Sequence, residues 1–408
     1  MRGGIFRLEN PVKEYSWGSR TAIQDLLGLP PEAGRRPMAE LWMGAHPTAP
    51  SMVPEAGGKR GLDRLIKESP EALLGSFVGE RFGWELPFLF KFLAAEKPLS
   101  IQVHPGKGQA EEGFRRENQA GVPLESPERT YKDRNHKPEL LCAVTPFYAL
   151  KGFRPAGEAA ELLRALVPET LSDEIPLLDD KDQAQGLRRF FTALMSSTPD
   201  RRRKITEEAA ARSSAEVGKS PAFNWVERLA GVFPGDPGAL APAFLNLIVL
   251  QPGEAVFIRP GELHAYLEGC GLEIMANSDN VIRGGLTGKH VDQAELFRTV
   301  VFEAGAPALI RGVDRSAGEL LYECPAIEFL LARLEVTEER PFFSAGERSI
   351  AIYLVLQGRG RVTSIQGGED LAFSRGTSFL VAASALAHRI EGRAILYRAS
   401  VPAEKTVT

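Results

Sequence analysis

Cysteine is scarce in this sequence: Cys142, Cys270 and Cys324 are the only three in 408 residues. An odd number cannot complete a set of intrachain disulfides, so the pattern fits a reducing compartment and leaves stability to a packed core. Charge of one sign is lacking too, with 49 Lys and Arg against 53 Asp and Glu and a net charge of −4. That balance offers no polyanion-binding surface, and nucleic acid is not an expected partner. No uninterrupted apolar run reaches membrane-spanning length, and the first ten residues, MRGGIFRLEN, lack the apolar centre of a secretory signal. The expectation is a cytoplasmic protein with no membrane partner, working as a monomer. What the chain does have is 43% hydrophobic and 25% charged residues, enough to bury a sizeable core in two or three domains.

Hydrophobic periodicity divides the chain. Residues 88–104, FLFKFLAAEKPLSIQVH, end in strand-like alternation, with Leu99, Ile101 and Val103 on one face and Ser100, Gln102 and His104 on the other. Further on, Ala159, Leu162, Leu163, Leu166 and Val167 follow helical spacing, as do Leu187, Phe190, Phe191, Leu194 and Met195, then Val226, Leu229, Ala230 and Phe233. Strand-like runs return at 244–250 and 255–258, separated by a Gln-Pro-Gly-Glu turn. After about residue 305, short strands with glycine turns are predicted at 350–356, 358–362, 371–373, 377–381 and 394–398. The fold class read from this is mainly β with an inserted α domain. Residues 1–155 and 237–304 would form a discontinuous β domain, 156–236 a helical insert, and 305–408 a second sandwich or barrel.

Chemistry concentrates in three stretches. Gln102 and His104, two apart on a strand, project from the same face and could grip one ion, though alone such a pair is more often simply hydrogen-bonded. Residues 131–139, YKDRNHKPE, carry Glu139 into the apolar run Leu140 to Val144, where a carboxylate needs a partner. Residues 259–266, RPGELHAY, place His264 after an apolar strand, and GLEIMANSDNVIRGGLTGKHVD continues to Asp292. Four of the six histidines, His104, His136, His264 and His290, fall in these stretches. Gln102, His104, Glu139 and His264 would supply two imidazoles, a carboxylate and an amide oxygen, a mixed set suited to zinc or a neighbouring divalent metal at a catalytic site. The plainer reading makes His264 a turn residue and Glu139 an ion-pair partner of Lys137 or Arg134.

These stretches are similar to the signature segments of the type I phosphomannose isomerases, a family of zinc-dependent enzymes. The resemblance extends in order through Tyr15-Ser16-Trp17-Gly18, AELWMGAHPTAPS at 39–51, residues 86–105, YKDRNHKPE, and residues 259–292. It implies cupin-type double-stranded β-helix barrels, a catalytic one interrupted by a helical domain and a second at the C-terminus. It also implies one Zn2+ per chain on Gln102, His104, Glu139 and His264. The activity implied is interconversion of mannose 6-phosphate and fructose 6-phosphate, an intramolecular oxidoreduction at the entry to nucleotide-mannose synthesis. Arg283 matches the family's active-site arginine, and Lys91, Ser100, His136, Lys137, Glu273, Asp279 and Lys289 match groups with less settled roles. One departure from the general cupin pattern is Glu268, four residues after His264, where many cupins have Asn.

Aldose–ketose isomerisation through a cis-enediol requires a base, a stabiliser for the developing oxyanion and a grip on the phosphate. A divalent ion can act as the Lewis acid. Arg283 offers a permanently charged fork, unless it is paired with Asp279 or Glu273. Lys137, His136, Glu273 and Asp279 are all candidate bases, and the residues alone do not rank them. Lys91 lies in an apolar strand and must meet an anion, either the substrate phosphate or a carboxylate such as Glu96. Ser100 and Lys289 are further phosphate candidates. Trp17 and Trp42 could line a sugar pocket but read more simply as core, while His46 and His290 read as surface or packing residues. His388 has no second ligand nearby in sequence, so the C-terminal domain is expected to hold no metal. Two other classes compete: a metal cupin such as an iron dioxygenase acting on another substrate, and a non-catalytic sugar-phosphate-binding protein. Oxygen consumption would mark the first, and ligand binding without turnover the second.

Overall fold

A computed structural model describes residues 4–30, 36–215, 218–316, 318–344, 349–365, 367, 370–385 and 387–402. Two large antiparallel sheets, of eleven and nine strands, and a two-stranded ribbon account for the strands described. The long strand His264–Ala276 is the spine of the first sheet. Residues 269–276 run between Phe88–Ala95 on one side and Glu139–Ala143 on the other. Both neighbours are buried along their whole length, which is why they read as continuous apolar runs rather than alternating ones.

Past an irregularity between Tyr266 and Glu268 the spine changes partners, and His264 pairs with Gln102 and Lys151 instead. Gly269 permits this bend. Its φ is +129°, and a Cβ there would lie 2.7 Å from the Pro146 carbonyl oxygen and 2.8 Å from the Phe147 ring. Only glycine meets both demands.

Three helices fall where the periodicity placed them, and a fourth, Pro199–Ala215, carries none of the predicted stripes. Ala156–Leu166, Gln183–Met195, Pro199–Ala215 and Pro221–Val232 lie between the strands Phe147–Phe153 and Leu245–Leu250, which pair with each other. Their stripes, including Leu163, Leu187, Phe190, Phe191, Leu194, Val226 and Leu229, are buried in one cluster that also takes in Ile101, Val103 and Leu263 of the sheet. Asp182 caps one helix through the Gln185 amide, and Ser220 caps another through Ala222 with Pro221 at its first position.

The strand expectations need two corrections. The strands predicted at 350–356 and 358–362 are one strand, Ala351–Ser364. Gly358 and Gly360 serve close approach rather than a turn, since a Cβ on either would meet the carbonyl oxygen of Arg393 or Glu391 at 1.9 and 2.0 Å. The sheets also do not close into barrels: their strand paths are open, so the shared architecture is mainly β with inserted helices.

Chain position and sheet membership part company twice. Ile5–Leu8 pairs with Ser378–Val381 in the second sheet, and Ile310–Arg311 pairs with residues 254–255 in the first. One apolar cluster joins the sheets, holding Phe88, Phe90, Leu140 and Cys142 together with Phe329, Leu331, Ile352, Leu354 and Tyr397. Burial pushes the Cys142 thiol up to about 11, as suits an inert core residue.

Two predictions arise here. Replacing Gly269 by Ala should lower unfolding stability by about 2 kcal/mol, read from the urea midpoint, because the strained φ and the clash fall on one residue; an unchanged midpoint contradicts the bend. His388 is buried in the second sheet with its Nε2 2.8 Å from the Tyr353 hydroxyl. Burial and the Arg398 charge lower its pKa from 6.5 to about 4. The unfolded chain therefore takes up this proton first, so stability is full above about pH 6.5 and falls as the pH drops towards 4. The slope from this group is at most about 1.4 kcal/mol per pH unit. His388→Gln should flatten that part of the stability–pH curve relative to the parent chain, and an unchanged slope would refute the assignment.

Candidate metal centre and active site

Strand register gathers the ligand candidates. Glu139 stands opposite Ile258 and Met275, His264 opposite Gln102, and Gln102 opposite Arg283. The Glu139 carboxylate spans two imidazoles, with Oε1 3.3 Å from His104 Nε2 and Oε2 3.4 Å from His264 Nε2. One ligand atom from each of the three lies within 4.8 Å of the others, and all three residues are buried. Gln102 and Glu139 line a small cavity of about 50 Å³ with His264, Tyr266 and Glu273.

The ring tautomers fit metal ligation. His104 Nδ1 lies 2.7 Å from the Asn280 carbonyl oxygen and His264 Nδ1 3.1 Å from that of Glu262. Each Nδ1 must donate to its carbonyl, which leaves Nε2 as the lone-pair nitrogen aimed at Glu139. His104 Nε2 is buried and has no hydrogen-bond partner among the described residues. Burial and then the Lys137 charge lower the His104 pKa to about 4, so the ring is neutral and free to ligate at physiological pH. Burial would raise the Glu139 pKa, but the Lys137 ammonium, 2.8 Å from Oε1, holds it well below the usual carboxylate range. Two imidazole nitrogens, an ionised carboxylate and an adjacent amide make a donor set that fits a catalytic divalent zinc site.

A second buried charge array flanks this centre. Lys91 faces Glu273 across one strand pair and Trp42 across another. Its ammonium lies 2.7 Å from Glu273 and 3.7 Å from Glu40, whose carboxylate accepts from Trp42 Nε1 at 2.5 Å. Despite burial, these carboxylates raise the Lys91 pKa and keep it charged. The anion that Lys91 meets is thus Glu273, and Glu96 instead accepts from the Arg20 amide. Burial raises the pKa of Glu273 against the pull of Lys91.

The centre opens into a cavity of about 600 Å³ that brings together Lys91, Ser100, Gln102, Lys137, Asp279, Arg283 and Lys289. The Arg283 guanidinium is half-buried, and among the described residues it has no carboxylate within 4 Å; the ion pair with Asp279 or Glu273 does not form. Asp279 pairs instead with His46, at 3.2 Å; that histidine is buried edge-on against Trp42, which fits the packing reading and not the surface one. His290 is exposed, as expected. Lys289 sits at the rim, its amide donating to Thr287 Oγ1.

His136 is the exception among the candidate bases. Its ring lines another cavity, which shares no lining residue with the first, and its Nε2 lies 2.6 Å from Glu328. Lys137 and His136 are chain neighbours whose side chains line different cavities.

Four participants were not among the expected site residues. Tyr266, whose hydroxyl donates to Glu139 at 3.4 Å, stands two residues after His264 on one strand face, a spacing that could have identified it. Glu40 is a lone carboxylate in a four-residue strand that is wholly buried, the same signal that singled out Glu139. Trp17 and Trp42 both line the large cavity, with Lys91 5.4 Å from the Trp42 ring centroid, so the sugar-pocket alternative fits better than a purely core role.

Comparison with known proteins agrees with this geometry. Residues 5–156 match the family model for phosphomannose isomerase type I, catalytic domain. The chain is 38% identical to mannose-6-phosphate isomerase of Escherichia coli (strain K12), over 96% of this chain and 98% of that one. It is 33% identical to mannose-6-phosphate isomerase 1 of Arabidopsis thaliana, over 98% and 94%. Among solved structures, mannose 6-phosphate isomerase from Salmonella typhimurium bound to fructose 6-phosphate and zinc superposes with a TM-score of 0.88 at 36% identity, covering 98% of this chain and 100% of that one. With likeness of sequence and fold running the length of the chain, and the ligand cluster formed from the motif residues, this protein belongs to the type I phosphomannose isomerases.

Proposed function

We propose that this chain is a zinc-dependent mannose-6-phosphate isomerase that interconverts mannose 6-phosphate and fructose 6-phosphate. The observation that carries the reading is the buried His104–Glu139–His264 cluster opening onto a cavity whose half-buried Arg283 has no carboxylate partner among the described residues. The relatives named above supply the substrate pair: one solved neighbour is described as bound to fructose 6-phosphate and zinc.

Gln102, His104, Glu139 and His264 would hold the ion, which supplies Lewis-acid polarisation of the substrate oxygens when bound. Lys137 borders both the metal cavity and the large one, and it moves the proton between adjacent substrate carbons. Asp279, kept charged by His46, orients sugar hydroxyls, and the unpaired Arg283 fork stabilises the enediolate. Ser100 and Lys289 grip the phosphate at the mouth. Lys91 and Glu273, already committed to each other, fix the floor of the site beneath the substrate.

The wider reading is of a cupin-type catalytic part, 1–155 with 237–304, a helical insert at 156–236 and a metal-free cupin-like part at 305–408. The bent spine strand supports the cupin reading. No helix among the described residues is long and apolar enough to cross a membrane. We read the chain as a cytoplasmic monomer whose partner is a small sugar phosphate, without nucleic acid or membrane contacts.

Two measurements test this assignment. His264→Ala should remove bound zinc and the interconversion together, and retention of both would sink the ligand set. Arg283→Ala should leave zinc content unchanged while lowering kcat/KM by about 100-fold or more, the scale of losing one oxyanion donor. Near-normal turnover in that variant would reassign the guanidinium to a structural role.

A further inference from the structure

His136 sits beside Lys137 yet faces away from the substrate cavity, and its partner comes from the far end of the chain. Glu328 is 6% exposed, with one carboxylate oxygen 2.6 Å from His136 Nε2 and the other accepting from the Ile327 amide at 3.1 Å. The next residue, Phe329, is 1% exposed and belongs to the apolar cluster shared by the two sheets. Residue 330 begins the strand Leu330–Val336, which pairs with the long strand His388–Ser400. Glu328 is therefore mounted just before an interior strand of the second sheet, which pairs on both sides.

The loop it grips is tied on its other side by Asn280, whose side-chain amide donates to the carbonyls of Asp133 and Asn135 at 3.0 and 2.9 Å. Between these two anchors and the strand that starts at Glu139, the chain has little room to move. Pro138 restricts Lys137 further to extended backbone. A proton-transferring side chain depends on such placement, because an error of about 1 Å can cost about 100-fold in rate.

We propose that the His136–Glu328 pair is a latch by which the C-terminal sheet positions Lys137, so that His136 is a positioning residue and not the base. This rests on the isomerase reading above. It gives the metal-free C-terminal part a catalytic consequence and explains why a histidine in the motif points out of the site.

The test is a double-mutant cycle in the zinc-loaded full chain with His136→Ala, Glu328→Ala and the pair, plus Glu328→Gln, which keeps an acceptor and the side-chain volume. Thermal midpoints and zinc content serve as folding controls, and Glu328→Gln carries the comparison if Glu328→Ala does not fold. Each alanine variant should lose about 10- to 100-fold in kcat with KM nearly unchanged, and the double variant should lose no more than the worse single. Glu328→Gln should recover part of the loss, and amide exchange in residues 131–139 should rise in both single alanine variants.

A loss of about 1000-fold or more in His136→Ala with Glu328→Ala at the parent rate would make His136 the base and overturn the latch. Losses that multiply in the double variant, or unchanged exchange in 131–139, would overturn it as well. A parent chain with no interconversion would refute the isomerase reading instead, and the exchange measurement would still decide whether the latch exists.

Discussion

The structure around the site depends on keeping one carboxylate charged where water cannot reach it. Glu139 is 2% exposed and begins a strand that is otherwise Leu, Leu, Cys and Ala. An ionised group there is tolerable only if positive charge and hydrogen bonds surround it. Lys137 supplies the charge in the chain itself, and the Tyr266 hydroxyl donates a hydrogen bond. Both imidazoles are turned by backbone carbonyls so that their bare nitrogens face the carboxylate. That arrangement leaves a neutral nitrogen with no hydrogen bond, which a divalent cation satisfies and a proton does not.

The strand register makes this possible and also separates two kinds of cation. Lys91 is spent on Glu273, with Glu40 behind it, and so belongs to the frame of the pocket. Arg283 has no carboxylate within 4 Å among the described residues and faces the large cavity. The same division applies to the carboxylates, since Asp279 is held by His46 on the cavity wall while Glu273 lies in the inner chamber. A pocket whose inner charges are paired with one another, while Arg283 and the rim Lys289 have no carboxylate within 4 Å among the described residues, favours an anionic ligand without a generally basic surface.

Much of this was legible in the sequence because the strands carry their chemistry at fixed spacing. Gln102 and His104 share a face through the two-residue strand period, and a lone carboxylate entering an apolar run marked Glu139. The helical insert announced itself through the stripes of Leu187 to Met195 and Val226 to Ala230, which the structure buries. What remained hidden depends on partners distant in the chain. Nothing near His136 in sequence points to Glu328, 192 positions away, so the ring read as one of four candidate bases. Likewise, Ile5–Leu8 joins the second sheet through a pairing that no local pattern encodes. Gly358 and Gly360 looked like a turn because close backbone approach and chain reversal both call for glycine.

The central claim is that the buried nitrogen–carboxylate cluster works only with its cation, on a phosphorylated aldose and ketose. The most direct measurement follows mannose 6-phosphate to fructose 6-phosphate with the purified chain, before chelation, after it, and after zinc is restored at one equivalent per chain. Activity should vanish on chelation and return with zinc. Full turnover in metal-free protein, or a well-folded zinc-loaded chain that leaves mannose 6-phosphate unchanged, would contradict the account.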